Sequence, residues 1–180
     1  MSSSNILLAV TGSIAAYKAA ALSSSLVKKG YEVQCITTKG AQQFVGEMTF
    51  EGITNKRVLH DMFAPGDAKI HISLAEWAHL IVVYPASAAA LSRLATGDAQ
   101  DLLGAVFLAN NFRKPFLIAP AMNVHMYAHP AVQQNLEQLA DWGCEILPTE
   151  EGRLACGDYG KGRAIAPERV VERVEQLCRM

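Results

Sequence analysis

Two side chains in this sequence have the chemistry to move protons. His71 lies in Lys69-Ile70-His71-Ile72-Ser73-Leu74-Ala75-Glu76-Trp77. An imidazole near its ordinary pKa can donate to a carboxylate or take a proton from one. The same residue between two isoleucines also reads as a satisfied core or interface histidine. Cys156 lies in Gly152-Arg153-Leu154-Ala155-Cys156-Gly157-Asp158-Tyr159-Gly160-Lys161-Gly162-Arg163, a stretch with four glycines in twelve residues. Arg153, Lys161 and Arg163 beside it would favour a thiolate or hold a phosphorylated substrate. The plainer reading is a solvated loop. Cys35 and Cys178 fit packed positions instead.

Four further groups suit binding. Thr11-Gly12-Ser13-Ile14 is a turn of small residues that opens a helix, so backbone N–H groups can face an anion. It has a single glycine and is not the GxGxxG dinucleotide fingerprint. A mononucleotide phosphate suits it better than a pyrophosphate, and a tight turn without a ligand suits it equally well. Thr37, Thr38 and Lys39 offer two hydroxyls and a cation, as a phosphate site or a helix cap. Ser87, in Pro85-Ala86-Ser87-Ala88, offers one hydroxyl for the same two purposes. Asn123, in Pro120-Ala121-Met122-Asn123, suits a carboxylate or amide partner, or serves as a turn asparagine. His125 and His129 have the spacing of a metal pair, but Pro130 breaks that stretch and no acidic partner completes a site.

These residues need a scaffold, and the hydrophobic pattern supplies one. Strands are predicted at Asn5–Val10, Glu32–Thr37, Leu80–Tyr84, Phe116–Ala119 and Glu145–Leu147. Helices are predicted at Ile14–Lys29 (closed by Gly30), Lys39–Val45, Ile72–Ala78, Ala86–Ala95, Leu102–Asn110, Pro130–Trp142 (closed by Gly143) and Arg169–Cys178. Leu80–Tyr84 is apolar on both faces, as in a covered parallel sheet. Alternation of strands and helices predicts an α/β fold, a Rossmann-like or flavodoxin-like open parallel sheet with helices on both faces. Ligands of such sheets bind at the carboxyl ends of the strands. The informative residues are therefore those after Val10, Thr37, Tyr84 and Ala119. Gly152–Arg163 is predicted to be a loop.

Composition narrows the function classes. The 180 residues predict one domain, 1–180. About half are hydrophobic and 18% are charged, which argues against disorder. A net charge of −1 gives no bulk attraction for nucleic acid or anionic lipid. Four cysteines without a CxxC give no zinc or thioredoxin-type signal. No apolar run reaches the roughly 18 residues of a membrane span, and the start lacks a basic leader. The expectation is a cytoplasmic protein with no metal, and with apolar surface left for partner subunits.

Five segments together resemble one family. They are Gly12-Ser13-Ile14-Ala15-Ala16-Tyr17-Lys18, His71 in its HIxLAxWA setting, Pro85-Ala86-Ser87-Ala88, Pro120-Ala121-Met122-Asn123, and Ala155-Cys156-Gly157 with Gly160, Gly162 and Arg163. In this order they resemble the homo-oligomeric flavin-containing cysteine decarboxylases. Within them the match is to the branch that acts on 4'-phosphopantothenoylcysteine in coenzyme A biosynthesis. The resemblance implies FMN as cofactor. It places Gly12, Ser13, Ile14, Thr38, Ser87, Ala88, Ala121 and Met122 at the flavin. It makes His71 and Cys156 the catalytic residues and Asn123 the binder of the substrate carboxylate. Met126, Lys161 and Arg163 would contact the rest of the substrate, and residues 150–166 would form a clamp over it. The implied chemistry oxidises the substrate thiol to a thioaldehyde, loses CO₂ to an enethiolate, and re-reduces the product to 4'-phosphopantetheine. The implied assembly is a trimer or a dodecamer of four trimers, with the histidine completing a neighbour's site. The chain departs from the family's PASAN-like motif at Ala89 and Ala90, where Asn or Asp and then Thr are frequent. Two other functions fit the same resemblance: oxidative decarboxylation of a peptide's C-terminal cysteine, and a non-catalytic FMN-binding regulatory subunit. Cys156 favours the full decarboxylase, because the last step needs a proton donor.

Overall fold

A computed structural model describes residues 4–153 and 157–179. Five parallel strands form the central sheet: β1 (Asn5–Val10), β2 (Glu32–Thr37), β3 (Leu80–Ala86), β4 (Phe116–Pro120) and β5 (Glu145–Ile146). Their spatial order is β2-β1-β3-β4-β5, the flavodoxin-like arrangement. The chain order reverses between β1 and β3, so a crevice opens outside their carboxyl ends. The predicted α/β architecture is therefore the observed one.

Each strand feeds both faces because side chains alternate along it. Ile6, Leu8 and Val10 of β1 and Leu80, Val82 and Tyr84 of β3 pack on one side. They meet α1 (Ala16–Lys28), α2 (Glu47–Thr54) and α8 (Pro167–Cys178). Leu7, Ala9, Ile81 and Val83 pack on the other. They meet α3 (Ile70–Trp77), α4 (Ala88–Thr96), α5 (Leu102–Asn110) and α7 (Pro130–Asp141). Every residue of β3 is buried, as its unbroken apolar run requires. Gly30 and Gly143, the two expected helix stops, have φ of +87° and +98°, the conformation that favours glycine.

The structure corrects several sequence expectations. Helix α1 starts at Ala16 and not Ile14, so Ser13 does not cap it directly. Lys39–Val45 contains only a 3-10 turn at Ala41–Gln43, and a helix absent from the predicted set, α2, follows at Glu47. A short helix, α6 (Val124–Ala128), occupies the segment expected to lead into α7 as a loop. The largest correction concerns Gly152–Arg163. Its described residues belong to two strands, β6 (Glu150–Arg153) and β7 (Tyr159–Arg163), paired antiparallel as the arms of a hairpin. Its glycines suggested a loop, but Gly160 and Gly162 are strand residues with φ of +157° and +126°. Neither has room for a side chain: a Cβ on Gly162 would stand 2.5 Å from the Met122 carbonyl oxygen, and one on Gly160 would stand 2.8 Å from the Val124 side chain. No helix of the described residues is long and apolar enough to cross a membrane.

Candidate functional site

The crevice at the switch point is held open by one buried hydroxyl. Thr11 follows β1, and its Oγ1 donates to the Pro85 carbonyl at 2.7 Å. The same oxygen accepts the Ser87 N–H at 2.8 Å. The loops after β1 and β3 are thus tied across 74 to 76 residues of sequence. Ser13 ties the third loop, its hydroxyl donating to the Ala121 carbonyl at 3.2 Å. Gly12 permits the loop after β2 to pack close, since a Cβ there would meet Gly40 at 3.1 Å.

A cavity of about 700 Å³ lies over these loops, within the size range of cofactor sites. Its floor is Gly12–Ala15, Ser87, Ala88, Ala121 and Met122. Tyr17, Phe44 and Met126 add apolar wall, and the hairpin covers one side through Arg153, Gly162 and Arg163. The floor is suited to an anion. Helix α1 begins at the cavity without a side-chain cap, so its N-terminal dipole faces the space. Ser87 caps α4 by accepting the Ala90 N–H, one of the two uses its position allows. The cap uses only the Ala90 backbone, so the side chains of Ala89, which is exposed, and Ala90, which is buried, take no part in holding the helix start.

The roof is pinned to the floor by backbone and side-chain bonds. Met122 N–H donates to the Gly162 carbonyl at 2.9 Å. At the hairpin's base, Lys18 Nζ donates to the Ala164 carbonyl at 2.8 Å and Tyr84 Oη to the Ile165 carbonyl at 2.7 Å. Glu150 accepts the Ala166 N–H at 2.8 Å. Asn123 caps α6, its Oδ1 accepting the His125 N–H at 2.8 Å. The amide group that remains, Nδ2, donates to an Asp158 carboxylate oxygen at 3.3 Å. Asn123 therefore presents donors, the polarity a carboxylate needs.

Most of the sequence-selected residues meet at this cavity: Gly12, Ser13, Ile14, Ser87, Ala88, Ala121, Met122, Asn123, Met126 and Arg163 line it. Thr38 does not. It is buried behind Gly40, and its Oγ1 accepts the Ala41 N–H at 3.3 Å, the helix-cap alternative. Lys161 is also absent from the wall; it stands exposed opposite Glu151 in the hairpin ladder. His71 is half-buried on α3 and lines a separate hollow with Met62, Phe63 and Pro65. Cys156 lies outside the described residues. His129 caps α7, its Nδ1 accepting the Ala131 N–H. Burial pushes the Cys35 and Cys144 thiols up to about 12, in keeping with packed, unreactive positions. Lys18 and Tyr17 were not selected as ligand contacts from the sequence. The helical face that carries them was legible, but not the cavity it borders.

The family model described as Flavoprotein matches residues 1–179. The chain belongs to the Flavoprotein family. Among the relatives of this Flavoprotein chain is the coenzyme A biosynthesis bifunctional protein CoaBC of Bacillus subtilis (strain 168), 45% identical over 174 residues. The match covers 96% of this chain and 42% of that protein. The chain thus spans less than half the length of the curated relatives that it first matches. A solved PPC decarboxylase mutant complexed with pantothenoylaminoethenethiol aligns with a TM-score of 0.90 at 30% identity, over 99% of this chain and 100% of that one. The FMN binding protein AtHal3 aligns with a TM-score of 0.85 at 31% identity, over 96% and 95% of the two chains.

Proposed function

We propose that the chain is an FMN-dependent decarboxylase, a carbon-carbon lyase converting 4'-phosphopantothenoylcysteine to 4'-phosphopantetheine and CO₂ in cytoplasmic coenzyme A biosynthesis. The observation that carries this reading is the cavity, whose floor offers an uncapped helix N-terminus and two serines, and whose roof brings cations over it. The likeness to CoaBC and to the PPC decarboxylase supports the substrate, and the likeness to AtHal3 supports FMN. Residues 1–180 act as one decarboxylase domain.

The cavity fits a flavin mononucleotide by size and by donor type. Gly12, Ser13, Ile14, Ser87 and Ala88 would hold its phosphate and ribityl end, with Ala121 and Met122 against the ring and Thr38 supporting from behind. When bound, the flavin supplies the electron sink that turns the substrate thiol carbon into a thioaldehyde and later returns the electrons, a task no side chain can perform. The remaining work belongs to the chain. Asn123 donates to the departing carboxylate from an amide that the His125 N–H holds in one orientation. Met126 and Arg163 contact the rest of the substrate. The hairpin excludes water, and Cys156 protonates the enethiol carbon. His71 positions the carboxylate and assists thiol oxidation. It does not border the cavity of its own chain, so it serves the cavity of a second copy. That is the reading in which the enzyme is a homo-oligomer, a trimer or a dodecamer.

The test is direct. Protein supplied with FMN and 4'-phosphopantothenoylcysteine should release CO₂ and form 4'-phosphopantetheine. Cys156→Ser should release CO₂ yet accumulate an enethiol absorbing in the near ultraviolet, and His71→Asn should release none. A protein that takes up no FMN, or takes it up and leaves the substrate intact, overturns the reading.

A further inference from the structure

The charged side chains that line the cavity are, among the described residues, all cations: Lys18, Arg153 and Arg163. No carboxylate shares that wall with them. Lys18 is the unexpected member. It lies in the first turn of α1, where a lysine would ordinarily reach for solvent. Instead its ammonium turns back to the Ala164 carbonyl at 2.8 Å, immediately beside Arg163. Arg163 lies across the hairpin, so that a Cβ on Gly152 would stand 3.2 Å from its guanidinium. Burial and then the Arg163 charge lower the Lys18 pKa, while Glu150 and Glu168 raise it. Glu150 is only partly free to compensate: one oxygen accepts the Ala166 N–H, and the other is 3.9 Å from Arg163 Nε. Two cations from different segments thus line one side of the cavity with incomplete counter-charge. A doubly charged oxyanion between them would relieve both, at charge-assisted hydrogen-bond strength.

We propose that Lys18 and Arg163 together seat a phosphate monoester at the hairpin side of the cavity, with Lys18 in the role that the family resemblance implied for Lys161. The proposal rests on the decarboxylase reading for which ligands are at hand, since both the substrate and the cofactor carry a phosphate monoester. Lys18 thereby links the phosphate to the base of the hairpin, because the same ammonium holds the Ala164 carbonyl.

The experiment is calorimetric binding of two ligand pairs to wild-type protein and to Lys18→Gln. One pair is the product 4'-phosphopantetheine, which carries the substrate's phosphate and is not turned over, and its dephosphorylated form, on FMN-loaded protein. The other is FMN and riboflavin, on flavin-depleted protein. Loss of a charged contact should cut the preference for the phosphorylated member of one pair by about tenfold to a hundredfold. A loss in the first pair assigns the seat to the substrate phosphate, and a loss in the second to the cofactor phosphate. Lys18→Arg should retain the preference, because it keeps the charge. Lys18→Met keeps the aliphatic stem and replaces the glutamine variant if that one does not fold. The proposal is overturned if both preferences stay at the wild-type ratio in the neutral variants, even when all four affinities fall. In that case Lys18 only tethers Ala164. If wild-type protein binds FMN but releases no CO₂, the decarboxylase reading fails while the flavin pair still decides whether Lys18 seats a phosphate.

Discussion

The floor of the cavity rests on strand ends and their loops, with Thr11 beneath it and Ala121 in it almost wholly buried, whereas its roof is a two-stranded hairpin whose charged side chains are mostly exposed. The floor keeps its shape through the sheet: five parallel strands in register and a buried threonine joining two loops. Among the described residues, the roof has no core of its own. It stays in place through a few bonds to the floor, namely Met122 to Gly162, Lys18 to Ala164 and Tyr84 to Ile165. A binding surface and a covering element thus differ in what supports them. The floor depends on burial, and the roof depends on close backbone approach at glycine.

The largest expected effect is on the roof. Gly162→Val would place a Cβ 2.5 Å from the Met122 carbonyl oxygen at a φ of +126°, which side chains other than glycine's rarely tolerate. The hairpin must lift. Turnover should fall on the order of a hundredfold or more, as expected for misplaced reacting groups. The flavin should still bind with nearly wild-type affinity. Equal loss of flavin binding and turnover would show that roof and floor are one unit, and the comparison would fail.

The floor should respond in the opposite way. Thr11→Val preserves shape but leaves the Pro85 carbonyl and the Ser87 N–H unpaired in a buried site. The expected cost is about 2–4 kcal/mol, or a fall in melting temperature of about 5–12 °C for a chain of this size. Flavin affinity should fall with it, since both tied loops line the cavity. A melting temperature within a degree of wild type would mean that the crevice is held by packing alone.

The smallest effect, absent at neutral pH, comes from the thiols of the sheet layer. Burial raises Cys35 and Cys144 from an ordinary value of 9.0 to about 12. The folded state therefore keeps protons that the unfolded state releases. Their contribution to stability is complete below pH 9 and is lost as pH rises towards 12. Denaturant unfolding of wild type and Cys35→Ala at pH 8 and pH 10.5 should show a smaller pH-dependent loss in the variant. Parallel losses would mean that the Cys35 thiol does not titrate this way.

Much of the floor was legible in the sequence. Asn5–Val10, Glu32–Thr37 and Leu102–Asn110 were read with the bounds they have. Their signals are local: an apolar run, alternation, or a helical stripe within one segment. Small residues after β1, β3 and β4 pointed to the crevice because parallel sheets bind ligands there. The roof was misread because its glycines carry the same local signal in a loop as in a strand pressed against other backbone. Thr38 was grouped with the floor on chain position alone, and the packing of Gly40 against Gly12 sets it one layer back. Lys161 and Arg163 looked equivalent two residues apart. Only their ladder partners separate them, Glu151 facing solvent and Glu150 bonded to Ala166.

The sequence by itself determined the sheet, the helices that cover it, the small-residue loops at the strand ends, and the single cysteine set in a basic glycine segment. All of these depend on neighbours within a few residues. The tertiary structure decided which residues meet: Thr11 with Pro85 and Ser87, Lys18 with Ala164, Met122 with Gly162, and His71 apart from the cavity of its own chain. Those pairings join segments 40 to 146 residues apart. They exist because the parallel register brings the strand ends side by side and a hairpin returns over them, and no local periodicity encodes that closure.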